Sequence, residues 1–166
     1  MIALTKILVA TDFSDPSESA LAYGRELART FGASLTVVNV VDDITVRAYG
    51  VDSGVFMTDP NVQRQFEADA KTLVDAAISN DDRLELNASA VVLRSSAPAA
   101  AIVTYARQSQ TDLIVMGTHG RGGFAHLLMG SVSERVVQTA PCPVLTVRHP
   151  EHEFVGPDAL VAVATV

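Results

Sequence analysis

The feature that most constrains how this chain can fold is an alternation. Five short, nearly continuous apolar runs are separated by stretches of helical period. The runs are KILVATD (6–12), SLTVVNVV (34–41), LELNASAVVL (84–93), DLIVMG (112–117) and PVLTVR (143–148). A run apolar at almost every position, not at every second one, reads as a strand covered on both faces. The intervening segments 15–32, 61–79, 97–110 and 131–140 carry apolar residues three and four apart. Strand and helix in strict alternation predict an α/β fold with an open parallel sheet and helices on both faces. A length of 166 residues suits one domain, and 48% hydrophobic residues supply a sizeable core.

Within the first helix, Asp15 is expected as the cap, Pro16 as the first helical residue and Glu18 as the partner in a capping box. Ala20, Gly24, Leu27 and Phe31 form its apolar face, flanked by Leu21 and Ala28, and Gly32 ends it. The second helix is expected to bury Val62, Phe66, Ala70, Leu73 and Ala77. The third begins near Pro98, and the fourth has Ser131 and Glu134 in capping-box register. Residues 42–60 show no sustained period, and a connection that long is either functional or loosely held. The tail, 149–166, ends apolar enough to pair as a strand or pack on a partner chain, with disorder as the alternative.

The segment VMGTHGRGGFAHLLMGS (115–131) concentrates glycine after the fourth strand. Such a cluster is either a plain loop or a backbone shaped to lie against a ligand. It lies at the carboxyl end of a strand and leads into a helix N-terminus, where amides without helical partners favour an anion. Gly117, Gly120 and Gly130 would let the backbone approach a phosphate, and the Ser131 hydroxyl could donate to it or could cap its own helix. His119 and Arg121 lie in the same loop within reach of a phosphate, with Arg121 the leading cation, while His126 reads as a solvated side chain.

Charge and cysteine content narrow the function classes. A formal net charge of −7 argues against a nucleic-acid partner. Cys142 is the single cysteine, so no intramolecular disulfide forms, and it reads as a buried small side chain with a reactive thiol as the alternative. The start lacks the build of a signal peptide, and no apolar run approaches the roughly 20 residues needed to span a bilayer. A cytoplasmic protein without membrane or nucleic-acid partners is expected. The P-loop pattern GxxxxGK[ST] is absent, His149 and His152 fall short of a metal site, and no Ser-His-Asp or Cys-His arrangement emerges.

The spacing Gly117, two residues, Gly120, nine residues, Gly130-Ser131 resembles the signature of the universal stress protein family in its ATP-binding branch. ILVATDFSDPSESAL, DLIVMGTHGRGG, LLMGSVSERVV and PCPVLTVR resemble that family in the same order, over residues 5–148. The resemblance implies a universal stress protein domain at 1–148 followed by a tail, with five parallel strands in the order 3-2-1-4-5, a Rossmann-like fold of the adenine nucleotide α-hydrolase type. It implies that Ala10, Thr11 and Asp12 face Met116 and Gly117. Ala10, Asp12 and Val40 match positions around adenine and ribose. Met116, Gly117, Gly120, Gly130, Ser131 and Val132 match strand-end and phosphate positions. Asp12 suits a carboxylate that helps hold Mg²⁺ with ATP, or else caps the first helix region. The resemblance further implies a homodimer through strand 143–148, an unidentified protein partner, and a nucleotide-sensing role in the stress response. Any ATP hydrolysis or autophosphorylation is expected to be slow, since no general base is evident. Two departures stand out: Asn39 occupies a position where many relatives have histidine, and RSSAPA (94–99) replaces a glycine-containing turn. The competing readings are a dimeric protein-interaction module that binds no nucleotide and an adenylyl-transferring enzyme. Against the latter, neither a HIGH-type run nor an SGGxDS loop is present.

Overall fold

A computed structural model describes residues 2–44, 60–118 and 129–149. Five parallel strands form one sheet: β1 (Lys6–Ala10), β2 (Ser34–Val41), β3 (Ser89–Arg94), β4 (Leu113–Gly117) and β5 (Val144–Val147). Their order is β3-β2-β1-β4-β5, as expected. The helices are α1 (Asp15–Phe31), α2 (Pro60–Ala77), α3 (Asn80–Glu85), α4 (Pro98–Ser109) and α5 (Ser131–Thr139).

The continuous apolar runs follow from burial on both faces of the sheet. Ile7 and Val9 of β1 join Leu35, Val37 and Val115 beneath α1 and α2. Leu8 and Ala10 point the other way, joining Val38, Ile114 and Met116 beneath α4 and α5. Each fully buried large aliphatic contributes about 1.5–3 kcal/mol. Alternation within a strand therefore feeds two separate cores.

The structure corrects the local reading in several places, among them Phe31, which is exposed at the end of α1 and not part of its buried face. Ser14, not Asp15, is the N-cap of α1, and its carbonyl accepts the amides of Ser17 and Glu18. Its hydroxyl is turned back to Asp12, so the expected Asp15–Glu18 box does not form. At the other end Gly32 closes the helix at φ 65°.

The second correction concerns α2, which buries Gln63, Ala70 and Val74 but leaves Val62, Phe66 and Leu73 exposed. Polar bonds set this rotation. Gln63 accepts the Ile44 amide at 3.1 Å and donates to the Asp42 carbonyl at 3.2 Å, and Arg25 of α1 reaches the Ala77 carbonyl at 2.5 Å. Third, the start of the expected third strand is shared with α3, which is closed by a reciprocal Ser79–Asp82 capping box. Asn87 at φ 46° then turns the chain into β3, which begins only at Ser89. Fourth, Cys142 is half-buried rather than buried, with burial pushing its thiol above the ordinary value, which disfavours thiolate chemistry.

Candidate functional site

The strand order reverses between β1 and β4. The chain leaves β1 for α1 on one face of the sheet and leaves β4 for α5 on the other. The two connections diverge, and a crevice opens beyond the carboxyl ends of both strands. Ala10 and Met116 are directly paired at its floor.

On the β1 side the chain is pinned at Thr11. Its amide donates to the Val38 carbonyl at 2.9 Å, and its carbonyl accepts from Asn39 Nδ2 at 2.8 Å. Its Oγ1 accepts the Phe13 amide at 3.0 Å and lies 3.1 Å from Ser17 Oγ. Thr11 is thereby a buried junction of the crevice wall. Asp12 follows, and its Oδ1 accepts both the Ser14 amide at 3.2 Å and the Ser14 hydroxyl at 2.5 Å. These bonds hold Ser14, which rather than Asp12 is the N-cap residue, at the entry to α1. Phe13 sits at φ 63°, a left-handed conformation that costs a bulky residue about 1–3 kcal/mol. The sharp reversal keeps Asp12 at the strand end.

Val40 lies one strand over. The β1–β2 register ends at Ala10–Val38. Alternation in a parallel ladder sends the main-chain groups of Val38 and Val40 toward β1, while Val41 faces β3 and accepts the Ser95 amide at 3.0 Å. Val40 therefore turns a main-chain donor and acceptor toward the crevice beyond the last β1 pair.

On the β4 side, Gly117 is required by packing. An added Cβ would lie 2.8 Å from Pro16 Cβ and 2.9 Å from the Pro16 carbonyl carbon. The chain after Gly117 is drawn together at its base. The Thr118 amide donates to Val147 at 2.8 Å, and the Thr118 carbonyl accepts the Gly130 amide at 2.7 Å. Ser133 Oγ donates to the Gly117 carbonyl at 2.8 Å, in a buried setting. His119, Gly120, Arg121 and His126 lie outside the described residues.

Gly130, at φ −73° and ψ 153°, is the N-cap of α5. Ser131 is therefore the first helical residue, and the Ser131–Glu134 capping box does not form. Its hydroxyl is exposed and is not used as a cap, so the competition between cap and ligand is removed. The amides of Ser131 and Val132 are in the first turn, where no intrahelical acceptor exists. Glu134 accepts from Gln138 Nε2 at 3.2 Å, one turn further along the helix. Its carboxylate is thus held away from the N-terminus.

The N-terminus of α5 with the exposed Ser131 hydroxyl, the Asp12 carboxylate and the Val40 main chain thus all belong to the carboxyl-end side of the sheet. Asn39 and Ser133 are the contributors that sequence reasoning did not assign to the site. Asn39 was legible only as a departure, and Ser133 only as a small polar residue on the inward face of α5. Among the described residues no group of three or more His, Cys, Asp or Glu side chains could hold a metal ion, and no helix is long and apolar enough to cross a membrane.

Comparison with known proteins agrees with this architecture. The sequence model of the universal stress protein family matches residues 3–148. A universal stress protein of Thermus aquaticus is 35% identical over 143 residues, covering 86% of this chain and 97% of its own. The structure of universal stress protein UspA from Lactobacillus plantarum superposes with a TM-score of 0.71 at 28% identity, covering 89% of this chain and 100% of its own. A universal stress protein from Archaeoglobus fulgidus, solved in complex with dAMP, shares the fold with a TM-score of 0.57 at 24% identity, covering 89% of this chain and 99% of its own.

Proposed function

From the premise that this chain belongs to the universal stress protein family, we propose that it is an ATP-binding member that senses nucleotide in the stress response. The observation that carries the reading is the Ser131 hydroxyl, left exposed and uncapped at the N-terminus of α5 because Gly130 takes the cap position. The amides of Ser131 and Val132, together with that hydroxyl, would hold phosphate oxygens. The Val40 main chain offers the donor–acceptor pair that an adenine edge reads, with Ala10 and Met116 as the apolar floor. His119, Gly120 and Arg121 would complete the phosphate side. Asp12 would share Mg²⁺ with the phosphates, since Mg²⁺ is commonly held by one or two carboxylates, substrate oxygens and water. The dAMP complex of the Archaeoglobus fulgidus relative supports an adenine nucleotide as the class of ligand.

The same reading makes residues 1–148 the nucleotide-binding domain and 149–166 an appended tail, places the protein in the cytoplasm, and pairs β5 with its counterpart in a homodimer that engages a protein partner. The alternative, an interaction module without nucleotide, draws on the exposed apolar side chains Val62, Phe66 and Leu73 of α2. Titration of wild type and Gly130→Asp with a fluorescent ATP analogue separates the two. The proposal expects saturable binding by wild type and none by the variant. Equal affinity in both would remove the site, and no binding by either would favour the interaction module.

A further inference from the structure

We propose that Ser133 is a positioning residue for the phosphate end of the site: by tying the first turn of α5 to the last residue of β4, it sets where the helix N-terminus points and covers a carbonyl that would otherwise face the crevice. The inference rests on the nucleotide reading above, and it concerns a residue that would touch no ligand.

Ser133 is 3% exposed, and its Oγ donates to the Gly117 carbonyl at 2.8 Å. It is one of the connections at the base of the glycine-rich segment. The Gly130 amide donates to Thr118, and the Thr118 amide donates to Val147. The Gly130 and Thr118 bonds fix where the backbone enters and leaves. Val136, fully buried, seats the body of the helix on the sheet. The Ser133 side-chain bond, from the third residue, adds a second anchor in the first turn on the inward face. Ser131 and Val132 lie between the two anchors, so their amides take a direction fixed relative to β4. A site organised before the ligand arrives loses less entropy on binding.

The carbonyl matters as well. Ile114 and Thr118 donate toward β5. Alternation along β4 then turns Gly117 toward β1. Its carbonyl thus lies on the β1 side of the strand end, at the level where β1 has already stopped pairing. Left without a donor there, the oxygen would present negative potential to a phosphate chain. The Ser133 hydroxyl occupies it instead.

Ser133 acts on the phosphate end and not on the adenosine end, and the experiment uses that split. Wild type, Ser133→Ala and Ser133→Thr would each be titrated with Mg·ATP and with adenosine, and their melting temperatures recorded without ligand. Ser133→Ala is expected to bind ATP about tenfold more weakly while adenosine affinity changes less than twofold, and Ser133→Thr, which keeps the hydroxyl, to recover most of the loss. Should Ser133→Ala fail to fold, Ser133→Cys, near-isosteric with a weak donor, takes its place with the same expectation. ATP and adenosine affinities falling together, or neither changing, would overturn the positioning role while leaving the nucleotide reading intact. Failure of wild type to bind ATP would overturn both.

Discussion

A methyl group added at Gly117 would meet Pro16 at the start of α1, whereas Gly130 holds an extended backbone, φ −73°, that any residue adopts. The two glycines belong to one stretch of sequence but answer to different demands. Gly117 is small because two elements touch there, so its substitution perturbs the fold whether or not a ligand exists. Gly130→Asp introduces no backbone strain and is the cleaner probe. It is expected to retain the fold and lose nucleotide through charge repulsion at the helix terminus. A melting temperature near that of wild type with affinity reduced at least a hundredfold would bear this out, and retained affinity would not. In sequence the two positions look alike, because a motif records where glycine stands and not what lies against it. Ser131 shows the converse. Its register with Glu134 suggests a capping box, but a glycine in front took the cap and released the hydroxyl.

At the scale of elements, Asp82 joins three helices. Its carboxylate closes the capping box of α3 through the Ser79 amide at 3.0 Å and accepts Arg25 of α1 at 2.9 Å. Arg25 also reaches the last residue of α2. Burial pushes the Asp82 carboxyl up, but the Ser79 amide, Arg25 and the Ser79 hydroxyl together hold it below its ordinary value. A carboxylate with a depressed folded-state pKa contributes stability that is complete above its unfolded value, about 3.9, and is lost as pH falls through the folded value. Asp82→Ala is expected to cost about 3 kcal/mol at neutral pH, or roughly 6–12 °C in melting temperature for a domain of this size. The deficit should shrink as pH drops below about 4, where wild type loses the same interaction. A deficit unchanged between pH 7 and pH 3 would show that the charge of Asp82 contributes little. These polar ties also explain the misread face of α2. Periodicity marked Val62, Phe66 and Leu73 as inward, but Gln63 and the Arg25 bond to Ala77 fix a different rotation. Contacts made by partners distant in sequence leave no periodic trace.

For the whole molecule, the parallel sheet covered on both faces is legible because two-sided burial writes itself into continuous apolar runs, whereas the strand order is legible only through the family resemblance. The boundaries of β2 are those its apolar run predicts, while β3 begins later than its run predicts because a helix capped by Ser79 and Asp82 precedes it. The crevice was legible as a location, through the switch between β1 and β4. Its inner supports, Asn39 and Ser133, were not, since each acts on a main-chain carbonyl elsewhere in the chain. The proposed dimer belongs to this scale too. In β5, Pro143 and Val147 accept from β4, so Val144 and Thr146 turn their amides outward. Thr146→Pro removes one outward donor without breaking the ladder to β4. Sedimentation should show a dimer for wild type and a monomer for the variant. A wild-type monomer would exclude the pairing.

The central proposal is that the crevice holds an adenine nucleotide by its phosphates. Calorimetric titration of the nucleotide-free protein with Mg·ATP, with GTP and AMP as controls, tests that most directly. Saturable binding near micromolar, about −8 kcal/mol, with ATP preferred over both controls, is expected. No heat and no competition at millimolar ATP would contradict it, and would leave the glycine-rich segment with a purely structural role.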